Sequence, residues 1–401
     1  MSGLHRTRVL WMLSLATLFS MSVWFTSNAI APVLQTEMGL SNAELAWLTI
    51  AVQFGFVAGT LLISISNLSD LINTRRLFAA CAILAGITNM IMVLASGFAQ
   101  FLLLRVLTGL FLGGVYPASM KILSGWFEKG RGYALGVLVG ALTLGSGLPH
   151  LLRSIFLANW QYTLYTSSVL AGIAGVIALS LVKDGPHDVP AHRFDPRFVA
   201  RILSERGPRF ALLGYLGHMW ELYAAWSWAP IFLLSVMGAE TLRGMSVASL
   251  LAFLIFAIGA AGCVIGGVQA ERRGRTFVTS VAMLVSGICS ASVGFVTRAS
   301  WPILWLLSLV WGASLVADSA QFSTAMTELT EPEYRGTALA FQTGLGFLLS
   351  AVTIGLVPVL SERMGWGPSF ALLTMGPVVG IAAMQRLRRL PDAEKLAGGL
   401  R

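Results

Sequence analysis

Long apolar stretches recur along the chain, separated by short polar breaks. Twelve of them approach or exceed the ~20 mostly apolar residues that a helix needs to cross a hydrocarbon core about 30 Å thick. They run near 9–32, 43–66, 76–96, 99–124, 131–155 and 160–182, then near 209–236, 244–268, 276–297, 301–327, 335–360 and 366–386. The runs are continuous and lack the short alternation of a membrane barrel, so the pattern predicts helices, numbered spans 1 to 12. One break is longer than the rest. Residues 183–208, "KDGPHDVPAHRFDPRFVARILSERGP", are polar and proline-bearing, and they divide the spans six and six. The expectation is an all-α integral membrane protein of twelve transmembrane helices. It has an N-terminal six-helix bundle (1–182), a linker (183–208) and a C-terminal six-helix bundle (209–401).

Composition agrees. Of 401 residues, 56% are hydrophobic and 11% charged, against roughly 25% charged in a soluble domain. The net charge of +9 does not point to nucleic acid, because the basic residues sit in the breaks between apolar runs. With the N-terminus inside and the spans alternating, 22 of the 27 Lys and Arg fall on the inner side. Arg105, Arg153, Arg243, Arg298 and Arg363 make up the outer five. That asymmetry places both termini and the linker in the cytoplasm and the chain in the cell inner membrane. His5, Arg6 and Arg8 precede the first run as in a signal peptide. The run continues to Ala31-Pro32 without a small-x-small site, so it reads as a retained span. Cys81, Cys263 and Cys289 lie in apolar spans at spacings that suit neither a disulfide framework nor a metal site. No cofactor or metal is expected. The expected partners are the lipid bilayer and a small-molecule substrate, with the chain a monomer.

The halves repeat each other. The loop after span 2 reads "NLSDLINTRRLF" and the one after span 8 "GGVQAERRGRTF"; Asp70 and Glu271 in them differ by 201 positions. Arg131 and Arg335, before spans 5 and 11, differ by 204. Two landmark pairs at nearly one offset imply parallel repeats. This is a transporter architecture with its site between the halves near the midplane.

These residues resemble the major facilitator superfamily. Its loop signature is Gly, three residues, Asp, Arg, any residue, Gly, Arg. Gly267, Glu271, Arg272, Gly274 and Arg275 match it, with Glu for Asp. In the first half Asp70, Arg75 and Arg76 remain, while Ser66, Leu71 and Asn73 occupy the first Gly, the Arg and the second Gly positions. Span 4 has the family's Arg-x-x-x-Gly-x-x-x-Gly in Arg105, Gly109 and Gly113. The resemblance implies alternating access by two pseudo-symmetric bundles. A weaker similarity runs to the cyanate- and nitrate-type anion permeases, but the nitrate branch's mid-span arginines in spans 2 and 8 and its Gly-Asn-rich signature in spans 5 and 11 are missing from this chain. An acid at the inner end of a helix can pair with cations and with a neighbouring helix N-terminus. The loop cluster therefore reads as a cytoplasmic gate.

Charges inside the spans are costly and face cavities or partners. In "GHMWELYAAW", His218 and Glu221 stand three apart on span 7, with Glu221 about 18 Å from Arg209 along the helix. The spacing predicts one shared face, lining the central cavity and handling protons. The alternative is a static polar pair. Asp318 and Gln321 stand three apart on span 10, with Ser319 and Ser323 nearby. They are candidates for a cavity or coupling role, or for a hydrogen-bond hub. Arg105 suits coupling or bonding to backbone carbonyls of a neighbouring span. Lys121 suits snorkelling or attraction of an anion. Asn28 suits substrate or interhelical hydrogen bonding, and Trp220 and Tyr223 suit a cavity wall or packing. No phosphate-binding loop, His-Glu-x-x-His or Gly-x-Ser-x-Gly pattern occurs, so neither nucleotide drive nor an enzyme is expected. The function expected is secondary transport, coupled to protons, of a small organic or anionic solute. Efflux of lipophilic drugs, and a non-transporting sensor or scaffold, are the alternatives.

Overall fold

The computed structural model describes residues 3–66, 68–127, 130–186, 196–296 and 301–400. Ten of its helices are long and apolar enough to cross a membrane by length and composition. Two more complete the twelve. Gly3–Met21 starts span 1 and is diluted by His5, Arg6 and Arg8. Arg206–Met237 is span 7, diluted by its two arginines, His218, Glu221 and its tyrosines and tryptophans. Span 7 thus begins three residues earlier than the apolar run suggests.

Several spans are broken near their middles. Span 1 turns at 22–25 and continues as Thr26–Ala29 and Ala31–Met38. Span 4 is Phe98–Leu112 followed by Tyr116–Ser124, whose first turn contains a proline that cannot continue the preceding hydrogen-bond ladder. Span 10 is Trp301–Ala317 and Ser319–Leu329, with Asp318 at the break. Span 12 is Trp366–Leu373 and Met375–Arg388. Besides span 7, the unbroken spans are Asn42–Ile65 (span 2), Thr74–Ile91 (3), Arg131–Ile155 (5), Gln161–Ser180 (6), Val247–Arg273 (8), Arg275–Val293 (9) and Arg335–Met364 (11).

The termini and the linker share one face, the linker face. Trp126 Nε1 donates to Lys183 O at 2.8 Å, and the Arg6 guanidinium lies 3.9 Å over the Phe127 ring. The C-terminal segment Pro391–Gly399 folds back there, and Ala397 N donates to Glu328 Oε2 at 3.2 Å. Within the stretch read as a linker, Pro196–Ser204 is helical. Phe198 stacks on Tyr334 at 4.3 Å and Arg201 pairs with Glu331 at 2.8 Å, tying this helix to the start of span 11.

The halves meet along two seams. Spans 5 and 8 pack backbone to backbone. A Cβ on Gly140 would stand 2.8 Å from Ala260 O, and one on Gly136 would stand 3.2 Å from Cys263 O. Spans 2 and 11 meet through Ser350 Oγ donating to Gln53 Oε1 at 3.1 Å. At the face opposite the linker, Asn42 Nδ2 donates to Glu362 Oε1 at 2.9 Å. Large aliphatic side chains such as Val176, Leu284 and Leu306 point outward. A soluble monomer rarely shows so broad an apolar surface, and lipid is its natural solvent.

Candidate functional site

A cavity of about 90 Å³ lies between the halves. Its side toward the opposite face is an aromatic layer built from both of them. Trp24 and Phe56 come from spans 1 and 2, Tyr223 and Trp226 from span 7, and Phe347 from span 11. Ring centroids are 5.1 Å apart for Trp24–Phe56, 5.8 Å for Trp24–Phe347 and 5.0 Å for Tyr223–Phe347, the range in which aromatic pairs attract. Trp226 stands about 30 Å along span 7 and His218 about 18 Å, so the histidine lies on the linker side of this layer. Thr143, Ser146, Ser319, Ser323 and Thr343 complete the polar part of the wall. Trp24 and Trp226 are buried, whereas Tyr116, Ser319, Ser323 and Thr343 are only half-buried. The cavity is therefore shut toward the opposite face and less tightly covered toward the linker face.

His218 lines this cavity and is 3% exposed. Its Nε2 is 2.7 Å from Ser319 Oγ and its Nδ1 is 3.0 Å from Asp318 Oδ1. The second approach is oblique, and Asp318 Oδ1 has no well-aligned hydrogen bond. The break in span 10 creates this dyad. Asp318 precedes the first turn of Ser319–Leu329 and sits behind the imidazole.

Glu221 departs from the sequence expectation. It does not line the cavity. Its carboxylate accepts from Ser286 Oγ (2.7 Å), Ser290 Oγ (2.5 Å) and Trp311 Nε1 (3.3 Å), within the second half. Spacing three turns a helix position by about 60°. In a crowded bundle this sends His218 to the cavity and Glu221 to spans 9 and 10. Gln321 also parts from Asp318, accepting from Arg275 Nη1 at 2.8 Å.

Arg105 is fully buried and holds the break in span 1. It donates to Val23 O (2.9 Å), Trp24 O, Leu48 O (3.5 Å) and Thr26 Oγ1 (3.3 Å). Of the two roles open from sequence, backbone bonding is the one its contacts fill. Asn28 joins the halves, taking Thr49 Oγ1 at 3.1 Å and donating to Ser227 O at 3.5 Å. Trp220 donates to Leu372 O at 3.4 Å, against span 12. Lys121 lies near the linker face beside Asp184, away from the cavity. Of the nine substrate and proton candidates, His218 and Tyr223 line the cavity and Asp318 stands behind its wall.

Three of the residues read as a gate make side-chain contacts with acids or a helix start. Glu271 Oε1 accepts Tyr133 N at 3.3 Å, at the start of span 5 in the other half. Arg275 forks onto Glu328, 2.6 Å to each oxygen. Arg75 forks onto Asp184 at 2.9 and 2.8 Å. Gly267 packs against Gly132, and Gly274 adopts a φ of +91° that a side chain would strain. Arg76 and Arg272 are exposed. The side chain of Asp70 lies outside the described residues. Asp184 and Glu328 were missed from sequence, because fork partners lie 109 and 53 positions from their arginines. Ser286 and Ser290, four apart on span 9, were a legible helical face.

Residues 13–353 match the sequence profile of the Major Facilitator Superfamily. The chain belongs to that family. The benzoate transport protein of Acinetobacter baylyi is 20% identical over 88% of this chain and 83% of its own length. The gallate transporter of Pseudomonas putida is 24% identical over 90% of this chain and 88% of its own. A solved structure of the nucleoside transporter NupG superposes with a TM-score of 0.72 at 14% identity, covering 94% of this chain and 99% of that one. This superfamily member is a multi-pass membrane protein, and the relatives it matches are named as transporters.

Proposed function

We propose that the chain is a proton-coupled secondary transporter of a small organic solute, working by alternating access with its linker face in the cytoplasm of the cell inner membrane. One observation carries this reading: His218 lines the cavity between the halves with Asp318 behind it. An imidazole so placed can meet substrate and proton in one compartment. The excess of Lys and Arg at that face supports the orientation. Relatives named for benzoate and gallate support an organic substrate. An inorganic anion is disfavoured because no Lys or Arg lines the cavity among the described residues. Its 90 Å³ is well below the ~300–1,000 Å³ of drug-sized pockets, which disfavours efflux of bulky lipophilic compounds.

The test uses the purified protein in liposomes, with benzoate as the first probe. An imposed pH gradient should drive accumulation in the wild type. His218→Gln should abolish that accumulation while exchange of labelled for unlabelled probe continues. Wild-type accumulation in the variant would remove His218 from the coupling role.

A further inference from the structure

The surroundings of the cavity bear on the charge of its occupant, if this cavity is the substrate site as proposed above. We infer that it takes a small aromatic solute that carries no net charge while bound.

The ring requirement comes from the walls. Trp24, Phe56, Tyr223 and Phe347 pack on one another with centroids 5.0–6.0 Å apart and give the cavity one continuous aromatic wall, so a flat apolar ring finds aromatic surface on that side. The remaining polar wall is hydroxyl groups, which both donate and accept and so suit amide, hydroxyl or carbonyl groups.

The charge requirement comes from what stands behind the walls. No Lys, Arg, Asp or Glu lines the cavity among the described residues. The two buried arginines are committed elsewhere, Arg105 to oxygens of spans 1 and 2 and Arg275 to Glu328 and Gln321. The Asp318 carboxylate stands 3.0 Å behind His218, so the pair offers an anion no net counter-charge. A permanent anion would lose its hydration and gain no counter-charge, which is costly in a low-dielectric interior. A permanent cation would gain from the ring faces. However, Arg105 puts a positive charge behind the aromatic wall, since its partners are all neutral oxygens and one of them is the Trp24 carbonyl. The imidazole stands between such a cation and Asp318. A charge of either sign is therefore opposed from one side. An aromatic carboxylic acid fits when it is protonated in the cavity, with His218 as the group that can hand it the proton.

The test is a thermal-shift titration of the purified full chain at pH 7.5 with four probes. Benzamide is neutral with a ring, benzenesulfonate is anionic, benzylamine is cationic as its ammonium, and acetamide is neutral without a ring. Benzamide should stabilise the protein saturably, with apparent affinity at least tenfold above each of the other three. Phe347→Leu should weaken benzamide at least tenfold. Sulfonate or ammonium binding as tight as benzamide overturns the charge inference. Equal binding of acetamide overturns the ring requirement. Benzamide binding that is absent, or untouched by Phe347→Leu, overturns the assignment to this cavity. None of these outcomes alters the His218 liposome result, so the two readings fail separately.

Discussion

Glu271 Oε1 accepts the backbone N–H of Tyr133 at 3.3 Å, joining the end of span 8 to the first turn of span 5 across the two halves. A carboxylate at a helix N-terminus contributes about 0.3–1 kcal/mol. Losing it shifts a two-state equilibrium by up to about fivefold. Glu271→Ala should therefore open the linker face more often. A single cysteine at Ser323, with the three native cysteines replaced, should then react up to about fivefold faster with an impermeant thiol reagent. An unchanged rate would mean that this contact does not hold the face closed.

Arg105 occupies the carbonyls set free where span 1 turns. Arg105→Ala strands them at about 1–3 kcal/mol each. Thermal unfolding in detergent should occur about 2–7 °C lower. Lys should rescue only part of the loss, since one ammonium cannot span Leu48 O and Val23 O together. A wild-type melting temperature in Arg105→Ala would show that the break holds without it.

Glu221 accepts three hydrogen bonds inside the second half. Glu221→Gln places an amide nitrogen against a hydroxyl or indole donor. The expected result is a lower melting temperature with the gradient response of the folded protein retained. Loss of that response at an unchanged melting temperature would instead put Glu221 in the proton path.

Asp184, past the end of span 6, is an acid whose pKa can be read against its neighbours. Partial burial alone would raise it; hydrogen bonds from Arg75 and Asn73 and the Arg75 charge outweigh this and hold it below the usual carboxylate value. A depressed folded pKa gives stability that is present above the unfolded value and lost as pH falls through the folded one. The melting temperature of wild type should exceed that of Asp184→Asn at pH 6. The gap should close as pH drops below the ordinary carboxylate range. A gap that stays constant to pH 3 would show that the ionised fork contributes nothing.

The spans were legible because they depend on local composition. Apolar length marks a crossing. Pockets in the bundle were less legible. Sequence spacing placed His218 and Glu221 together, yet 60° of helix rotation separated them, because span 7 is packed on several sides. Asp318 was found as a buried charge. Its position at a break was not, since "LVADSAQF" contains neither proline nor glycine. Trp24 was not singled out, because only the fold brings it against Phe347.

The seam between spans 5 and 8 is thin at two of its glycines. Gly136 meets Cys263 O, and Gly140 meets Ala260 O. Side chains cross it further along, at Thr143–Cys263 and His150–Phe256. Where the two backbones touch, there are few teeth to lift over one another when the angle changes. The touching backbones behave like the knife-edge of a balance, bearing the load while leaving the beam free. The tilt is then left to light weights at the two ends, Glu271 with Tyr133 at one and Asn42 with Glu362 at the other.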